Sequence, residues 1–483
     1  MKEAAALHPW ARNDYLSSRN GQLHIDGVDI NALVEQYGSP LYVFSERQLR
    51  DNAESILNHF RRVHRNTTVC FASKANANIA VLQVFRAAGL SIEINSGGEF
   101  HKAITAGFQP GEMVFNGVAK LVEELRTVIA AGIKAINVDS LTELKRILAV
   151  AQALGRRANV TLRIVPEIKG GAAAGWETGT SESKFGMTRA EQREAIALIA
   201  ENVAFLKMTG IHAHIGTQVT DIGAYHREAE FLIAYFREVC ELLPYPLEHI
   251  NLGGGFPKNY SSSEENWRTT SGHYQGKYRT DVDFEMLAQT LIRPITESLG
   301  EAVEIIVEPG RSMVSDTGVL LTRIEAQKER NQQAMYYLDA GYSVLFDAFI
   351  GWYFHMINAN RADDVDTHLC KVVGPLCDSS DVYYDIEGEG YVKTLLQQQP
   401  ELRAHQALLE EVLVHQPGLR ELPAATQLGD VLALFDVGAY ALEMMNDYCG
   451  RLSAAAVMVD RQQDTRLIRR RARDEDLLRF DVY

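Results

Sequence analysis

Short apolar runs alternate with longer amphipathic stretches between residues 69 and 307. The apolar runs predict eight short strands, at 69–72, 91–94, 113–115, 134–138, 160–165, 208–214, 248–252 and 304–307. Apolar positions at helical spacing fill most of the intervals, for instance 120–132, 141–154 and 224–242. Eight strands that alternate with helices predict an α/β fold built on a (β/α)8 barrel of the TIM type, and a doubly wound open sheet is the alternative.

The chain before this pattern is mostly polar. Residues 1–36 contain one short alternating segment, and a turn at 37–40 leads into an apolar strand at 41–44. Ser45 is a suitable N-cap for a helix that we expect to reach about Phe60.

The pattern changes again after Arg311. Short β-rich runs replace the alternation and predict a second, mostly antiparallel β domain, and examples are 318–321, 335–338 and 431–435. The polar segment 258–281 predicts a loop. A helical insertion is predicted at about 384–427, with helical stretches at 392–398 and 406–414.

We therefore expect two domains. The barrel is predicted to cover 45–312, and the β-rich domain combines 1–44 with 313–483. A length of 483 residues, of which 46% are hydrophobic, is sufficient for two packed cores.

Charge and composition argue against several classes of partner. The formal net charge of −15 disfavours nucleic acid and anionic membrane surfaces as partners. No stretch is long and apolar enough to span a bilayer, and the chain opens without an apolar signal region, so we expect a cytoplasmic protein. The five cysteines are scattered and lack metal-ligand spacing, which predicts free thiols and no metal site.

A single lysine follows the first apolar run of the barrel. Lys74 lies two residues beyond the strand predicted at 69–72, at the end of the strand where barrel enzymes carry their chemistry. In an apolar site the charged form of lysine is disfavoured, and the neutral amine can attack a carbonyl. A surface lysine at the end of a strand is the alternative.

Polar residues also follow later barrel strands. His212 and His214 are alternate residues of one strand and face the same side, as a metal pair or as an aromatic platform for a planar ligand. Three glycines at 253–255 could direct backbone N–H groups at an anion or simply form a tight turn. Glu308 and Arg311 place a carboxylate and a guanidinium at the last strand end, for anion binding or as a structural ion pair.

The second domain offers a thiol and a phenol. Cys377 lies beside Asp378 in a polar loop, a setting more typical of a reactive thiol than the apolar strand that contains Cys70. A turn at 436–440, at the end of a predicted strand, presents the phenol of Tyr440.

Nine segments, in this order along the chain, together resemble one known family. They are Ala72-Ser73-Lys74-Ala75-Asn76, Ser96-Gly97-Gly98-Glu99, Gly117-Val118-Ala119-Lys120, Ser183-Lys184-Phe185-Gly186, His214-Ile215-Gly216-Thr217-Gln218, Gly253-Gly254-Gly255, Glu308-Pro309-Gly310-Arg311, Cys377-Asp378-Ser379 and Gly438-Ala439-Tyr440. Over about 37–448 the chain resembles the group IV decarboxylases, the diaminopimelate, ornithine and arginine decarboxylase family. Members of that family use pyridoxal 5′-phosphate (PLP) on an alanine-racemase-like fold.

The resemblance implies how PLP is held. Lys74 would form an aldimine with PLP, His214 would stack on the pyridine ring, and Glu308 would pair with the pyridinium nitrogen. A protonated ring nitrogen is what makes PLP an electron sink, and a carboxylate stabilises that charge. The implied cofactor-binding residues are Lys74, His214, Thr217, Gly254, Gly255, Glu308, Gly310, Arg311 and Tyr440.

The resemblance also implies the catalytic residues and a homodimer. CO2 would leave to give a quinonoid intermediate, and Cys377 would then return a proton to Cα. In the family this residue arrives from the partner subunit, so the active sites are shared. The implied catalytic residues are Lys74, His214, Glu308 and Cys377.

Two aspartates depart from the diaminopimelate decarboxylase pattern. Asp378 stands where those enzymes usually have glutamate, and it matches the ornithine and arginine decarboxylases, in which aspartate meets a cationic tail. Asp347 stands near the position of the arginine that holds the distal carboxylate. An acid there repels a second substrate carboxylate. The implied substrate-binding residues are Asp378, Asp347, Arg311 and Tyr440.

We therefore expect a PLP-dependent decarboxylase of an L-amino acid or an amino-acid conjugate. A citryl-diamino acid of siderophore biosynthesis is one candidate substrate. The alternatives are meso-diaminopimelate decarboxylase of lysine biosynthesis, an ornithine, lysine or arginine decarboxylase, an amino-acid racemase, and a non-catalytic relative that binds partners.

Overall fold

The computed structural model describes residues 13–170, 178–260, 279–414 and 416–482. The chain forms two compact units. One consists of the described residues of Leu49–Lys258 and Thr280–Met313, and the other of those of Met1–Gln48, Asn259–Arg279 and Val314–Tyr483. Most of the segment 258–281, predicted to be a loop, lies outside the described residues.

The described residues form twenty strands. In chain order they are β1 (Leu16–Arg19), β2 (Gln22–Ile25), β3 (Val28–Asp29), β4 (Leu41–Ser45), β5 (Thr67–Ala72), β6 (Ser91–Ile94), β7 (Met113–Phe115), β8 (Ala135–Val138), β9 (Ala158–Arg163), β10 (Leu206–His212), β11 (His249–Asn251), β12 (Glu304–Val307), β13 (Gly318–Arg330), β14 (Gln333–Leu338), β15 (Met356–Asn358), β16 (Thr367–Val373), β17 (Arg420–Pro423), β18 (Val431–Phe435), β19 (Ala455–Val459) and β20 (Thr465–Arg469).

The helices of the described residues are mostly short outside the barrel. They are α1 (Ile30–Tyr37), α2 (Glu46–Val63), α3 (Ile79–Ala87), α4 (Gly97–Ala106), α5 (Val122–Ala131), α6 (Leu141–Leu154), α7 (Arg189–Glu201), α8 (Ile222–Leu242), α9 (Phe284–Leu287), α10 (Arg293–Leu299), α11 (Arg311–Val314), α12 (Phe346–Phe349), α13 (Ile386–Gln398), α14 (Gln406–Leu413), α15 (Ala441–Met444) and α16 (Asp474–Leu477). A π-helical turn, Ala288–Ile292, joins α9 to α10. Short 3₁₀ turns lie at Ser73–Ala75, Pro110–Glu112, Ser315–Thr317, Pro400–His405 and Tyr448–Gly450.

The eight strands β5–β12 close into a barrel. Every neighbouring pair is parallel, and β12 pairs with β5 to complete the ring. The strands are short continuous apolar runs because both of their faces are covered, as in β7 and β8, where every residue is buried. The predicted (β/α)8 barrel is confirmed, and the open-sheet alternative is wrong.

The helices around the barrel follow their sequence signals. In α6 the Ser140 side chain caps the first turn, and Gly155 ends the helix in the left-handed region with φ 59°. Leu144, Ile147 and Ala151 form its buried stripe at helical spacing. The cap sets where the helix begins and ends, and the buried stripe packs it on the barrel, so together they set the position of the next strand.

The second unit is a mixed sheet. Its strands follow the order β17-β16-β14-β13-β4-β19-β20, and β18 pairs with both β13 and β15. Most pairs are antiparallel, while β14 with β16 and β19 with β4 are parallel. The predicted β-rich domain is therefore confirmed as mostly antiparallel. The N-terminal strand β4 lies between β13 and β19 in this sheet.

Two stretches contain more structure than their sequence predicts. The polar lead-in forms the three-stranded sheet β1-β2-β3 and helix α1, because Leu23, Ile25 and Ile30 are fully buried between polar neighbours. The insertion at 384–427 contains helices α13 and α14, as expected, but also β17, which pairs with β16. The helix predicted from Ser45 is observed as α2 and extends slightly beyond Phe60.

No helix among the described residues is long and apolar enough to cross a membrane. No group of three or more His, Cys, Asp or Glu side chains in that part of the chain could hold a metal ion. The cytoplasmic location stays a prediction.

Candidate active site at the carboxyl ends of the barrel strands

Each barrel strand delivers a polar side chain at or just beyond its carboxyl end. In strand order these are Lys74, Glu93, Asn116, Asn137, Arg163, His212, Asn251 and Glu308. All but Lys74 are buried, so their polar groups need partners from the protein. This set is the candidate site, at the end of the barrel where such enzymes carry their chemistry.

The carboxylate of Glu308 is the most heavily hydrogen-bonded group of the set. The side-chain amides of Asn251 and Asn116 donate to Oε1 and Oε2, each at 2.6 Å, and that of Asn137 donates to Oε1 at 3.2 Å. Nε2 of His212 lies 3.3 Å from Oε2. Burial alone would raise the pKa of Glu308, but His212 and the amide donors outweigh it and lower that pKa to about 2. Glu308 is therefore an anion at neutral pH.

His214 is held as a neutral ring. The backbone N–H of Gly254 donates to its Nδ1 at 3.1 Å, so Nδ1 is the acceptor nitrogen. Burial, with the Lys74 ammonium next in importance, lowers the pKa of His214 well below its usual value. The imidazole at this strand end is therefore uncharged near pH 7 and carries its proton on Nε2.

Lys74 lies on a short turn that is fixed from both sides. The hydroxyl of Ser73 donates to Oε2 of Glu99 at 2.6 Å, and Oε2 also accepts the N–H of Asn95 at 2.7 Å. Gly310 packs against the turn, because an added Cβ there would lie 3.2 Å from the Cβ atoms of Ala72 and Ala75. The Lys74 side chain itself is exposed, and the apolar setting expected from the sequence stays a prediction.

Glu93 is a buried carboxyl near Lys74. Nδ2 of Asn95 donates to its Oε2 at 3.2 Å, whereas Oε1 has no partner among the described residues. Burial raises the pKa of Glu93 to about 8, the Lys74 ammonium opposes that rise, and the Glu308 charge adds to it. Two neighbouring carboxyls thus differ in charge, with Glu308 ionised and Glu93 largely protonated at pH 7.

Two further side chains at this end of the barrel have no counterpart in the predicted site. Arg163 is buried, its guanidinium lies 4.2 Å from the ring centre of Phe185, and Nη1 is 3.9 Å from Oδ1 of Asp139. The fully buried Lys120 donates to the backbone oxygen of Asn137 at 2.8 Å. Arg163 could have been found from the sequence, because it is a charged residue at the end of an apolar strand.

The three glycines allow strand ends to approach more closely than side chains permit. A Cβ on Gly254 would overlap the carbonyl oxygen of Glu308, and one on Gly255 would overlap that of Gly216. The N–H of Gly254 is used by His214, whereas that of Gly255 has no acceptor among the described residues. Of the three glycine N–H groups, that of Gly255 is thus the one that the described residues leave over for a ligand, and the anion nest stays a prediction.

The remaining barrel residues of the predicted site lie on the same edge. Thr217 follows His214 in the loop after β10, and Arg311 begins α11 directly after Glu308-Pro309-Gly310. The backbone of Ala72 donates to Pro309 O at 3.0 Å, which ties the Arg311 segment to the Lys74 strand.

The second unit holds the predicted thiol on an anchored loop. Cys377 is exposed. Asp381 anchors this loop, since its carboxylate accepts the N–H groups of Leu376 at 2.7 Å and Tyr342 at 2.8 Å. Alanine at Gly341 or Gly374 would overlap Asp381, so the anchor needs both glycines. The thiol is thus presented on a rigid loop.

Asp378 lies within an aromatic cluster, which we define as Tyr342, Phe346, Phe349 and Tyr448. Its Oδ2 accepts the hydroxyls of Tyr342 at 3.2 Å and Tyr448 at 3.3 Å, and its Oδ1 accepts the Ser380 N–H at 2.9 Å. The hydrogen bonds from Ser380, with smaller contributions from the two phenols, lower the pKa of Asp378. The ring centres of Tyr342 and Tyr448 are 5.6 Å apart and nearly parallel. The group is an anion surrounded by exposed aromatic surface.

The other two residues predicted in this unit lie elsewhere in it. Asp347 is buried within α12, next to the ring contacts of Phe346 and Phe349. Tyr440 precedes α15 with φ 66°, in the left-handed region. Asp347 is buried, and its contact with a substrate tail stays a prediction.

Known proteins similar to this chain belong to one family. The family model described as "Pyridoxal-dependent decarboxylase, pyridoxal binding domain" matches residues 47–315. The diaminopimelate decarboxylase of Methanocaldococcus jannaschii is 31% identical over 481 residues, covering 97% of each chain. That of Pseudomonas aeruginosa is 30% identical over 471 residues, covering 96% of this chain and 98% of the relative.

Solved structures agree in fold. The M. jannaschii diaminopimelate decarboxylase in complex with L-lysine gives a TM-score of 0.80 at 30% identity and covers 98% of both chains. The lysine/ornithine decarboxylase of Vibrio vulnificus, complexed with putrescine, gives a TM-score of 0.67 at 21% identity and covers 89% of this chain and 97% of its own. The second likeness supports the fold alone.

The close approach at Gly254 yields a direct prediction. Gly254→Ala should lower the free energy of unfolding by about 2 kcal/mol or more, because the new methyl group overlaps the backbone of Glu308. Urea titration of both proteins measures this difference. The matched control is Gly111→Ala, since an added Cβ at Gly111 meets nothing within 4 Å. Equal stability of the two variants would show that the loop can relax around a side chain.

Proposed function

The chain belongs to the pyridoxal-dependent decarboxylase family, and we propose that its substrate is an L-amino acid, or a conjugate of one, with an amine or amide in its tail. Membership makes the protein a PLP-dependent enzyme with a small amino-acid substrate. The proposal for the chemistry of the tail rests on the surroundings of Asp378.

The residues at the barrel end fit PLP. An exposed amine at Lys74, a neutral imidazole at His214 and a buried anion at Glu308 lie on strand ends of one barrel. The glycine loop lets the strand ends that carry these groups approach closely, since a Cβ at Gly254 would overlap the carbonyl oxygen of Glu308. These are groups suited to a carbonyl, a flat ring and a protonated ring nitrogen.

We assign the following work to the chain's own residues. Lys74 binds the cofactor through its amine, and Glu308 keeps the ring nitrogen protonated. Bound PLP supplies an electron sink for the carbanion that remains when CO2 leaves. Gly255 and Arg311 hold the phosphate together with Thr217, and Cys377 returns a proton to Cα.

Asp378 is proposed to bind the tail of the substrate. Its carboxylate is ionised and oriented by two phenols, and the rings around it favour an ammonium group over a second carboxylate. Phe346 and Phe349 of the aromatic cluster contact each other with ring centres 5.5 Å apart. A substrate whose tail ends in an amine or in an amide N–H would satisfy this site, and a citryl-diamino acid conjugate belongs to that class.

A second candidate is meso-diaminopimelate decarboxylase. The M. jannaschii and P. aeruginosa relatives carry that name. One basic residue also lies near the thiol loop, since Nη2 of Arg451 donates to the backbone oxygen of Pro375 at 3.2 Å. A guanidinium at this position could pair with a distal carboxylate, and this contact is the observation that favours the second candidate.

We further propose that the active site is shared between two copies of the chain. Cys377 is exposed on a loop whose backbone is fixed by Asp381, a geometry suited to insertion into another subunit. In the family that the chain resembles, this loop serves the partner's cofactor. An isologous dimer would then contain two equivalent sites.

The role of Lys74 can be tested by reductive trapping. Borohydride treatment of the PLP-loaded protein should fix the cofactor irreversibly on Lys74, because hydride reduces the C=N bond between the lysine nitrogen and the cofactor's aldehyde carbon to a stable C–N bond. Peptide mass mapping identifies the modified residue. Lys145→Ala, which removes another exposed lysine, should label like wild type, and Lys74→Ala should not label. Label on another lysine in wild type would refute the assignment.

Substrate selectivity follows from Asp378. Steady-state kinetics should give lysine, ornithine or a citryl-diamine conjugate a kcat/KM at least about a hundredfold above that of meso-diaminopimelate, a difference of ~3 kcal/mol. Asp378→Asn should lower kcat/KM for the preferred substrate about tenfold or more, because a charge-assisted contact is lost. Asp364→Asn, which removes an exposed charge from the same unit, is the control. A higher kcat/KM for meso-diaminopimelate would establish the second candidate instead.

Sharing of active sites can be tested by subunit mixing. Lys74→Ala and Cys377→Ala proteins should each be inactive, and mixing them in equal amounts should restore about a quarter of wild-type activity. Half of randomly reassorted dimers are mixed, and each mixed dimer has one intact site. Subunit exchange is followed with differently labelled proteins. Exchange without recovery would mean that both residues serve the same chain.

A further inference from the structure

Four polar side chains from four different strands converge on Glu308. Three are amides, from Asn116, Asn137 and Asn251, and the fourth is the imidazole of His212. The amides of Asn251 and Asn137 reach Oε1, and that of Asn116 reaches Oε2. The ring of His212 lies beside Oε2, with Nε2 at 3.3 Å. His212 is thus an ionisable side chain in direct reach of this carboxylate.

The amides and the imidazole differ in what they can do. The NH2 group of an asparagine can only donate to a carboxylate and does not titrate, so it orients the carboxylate without responding to its charge. An imidazole can also change its own protonation, and the Nε2 atom of His212 lies 3.3 Å from Oε2 of Glu308. Neither ring nitrogen has a hydrogen bond of regular geometry to another described residue, so Glu308 is the near neighbour that the ring can serve. The charge of Glu308 and the protonation of His212 therefore depend on each other.

The surroundings of His212 keep it neutral. It is fully buried, and burial lowers its pKa, opposed first by Glu308, while Arg163 lowers it further and Asp139 raises it. A neutral ring beside a carboxylate is most stable with its hydrogen on the nitrogen that faces it. The protonated nitrogen is then Nε2, which lies 3.3 Å from Oε2 of Glu308.

We propose that His212 is a positioning residue of this enzyme, which by placing Nε2 beside Glu308 keeps that carboxylate ionised and in one orientation for the ring nitrogen of PLP. The inference rests on the proposed pairing of Glu308 with that nitrogen. His212 itself touches neither substrate nor cofactor in this account. It acts through Glu308, which sets the proton on the ring.

The chain contains a matched control. His249 is also fully buried in the barrel, in the neighbouring strand β11, but its Nε2 lies 3.0 Å from the Thr161 hydroxyl. Removing that imidazole disturbs the barrel core without removing a contact to Glu308. A purely structural effect of losing a buried histidine should therefore appear in both variants.

The experiment compares PLP-loaded His212→Leu, His212→Gln, His249→Leu and Glu308→Gln proteins and the His212→Leu/Glu308→Gln double variant. Two measurements are the dissociation constant of PLP, from absorbance titration, and the midpoint of the pH titration of the bound-PLP absorption. His212→Leu should raise the dissociation constant about tenfold, equivalent to ~1.4 kcal/mol, and shift the spectral midpoint. His212→Gln, whose Nε2 reaches the same place, should stay within about threefold of wild type.

The double-mutant cycle of His212 and Glu308 distinguishes an action through Glu308 from an independent effect of His212. If His212 acts through Glu308, the double variant should resemble Glu308→Gln alone. Additive effects, or equal effects of His249→Leu, would overturn the proposal. An unchanged spectrum in Glu308→Gln would instead refute the proposed role of Glu308. Should His212→Leu fail to fold, His212→Asn serves in its place, since its amide reaches only the Nδ1 position and should fail where His212→Gln succeeds.

Discussion

A carboxylate moved from water into a protein interior loses several kcal/mol of solvation unless donors replace the water. Glu308 meets that constraint with donors from β7, β8, β10 and β11 or the residues next to them, so one buried charge ties half of the barrel strands together at their ends. The same donors lower the pKa of Glu308, while Glu93, which has fewer partners, is shifted the opposite way. The charge pattern of the site thus follows from how many donors each carboxyl receives.

The glycine loop is the backbone counterpart of this arrangement. Gly253 O accepts the Glu308 N–H at 2.6 Å, and Gly254 N–H fixes the His214 ring. The loop therefore orients an anion and an imidazole through main-chain groups alone. Side chains at these glycines would push the strand ends apart. Steric packing alone therefore explains why these positions are glycine, whether or not the loop binds an anion.

The sequence predicts most of the barrel because the apolar runs and amphipathic stretches are regular there. Lys74 and Glu308 stand out as charges that directly follow such runs. The three asparagines do not stand out, because asparagine after a strand is equally typical of a turn. Arg163 ends its own strand, and only the register with β10 places it beside the histidines. The aromatic cluster joins residues far apart in the chain, so no local pattern reveals it. Leu23 and Ile25 form one short alternating segment, but the polar residues around it give no indication of the strands that pair with it.

Strand β4 has a consequence for how the molecule is made. It lies between β13 and β19, so the sheet of the second unit needs an early and a late piece of the chain at its centre. During synthesis the barrel strands emerge as one uninterrupted run, and a unit of mostly sequential neighbours can assemble as soon as it is complete. The sheet must wait for Ala455–Val459, and its pairing closes a very long loop, which is intrinsically slow. Until then β4 has an unpaired edge, and a nascent chain with such an edge is a natural client for a chaperone.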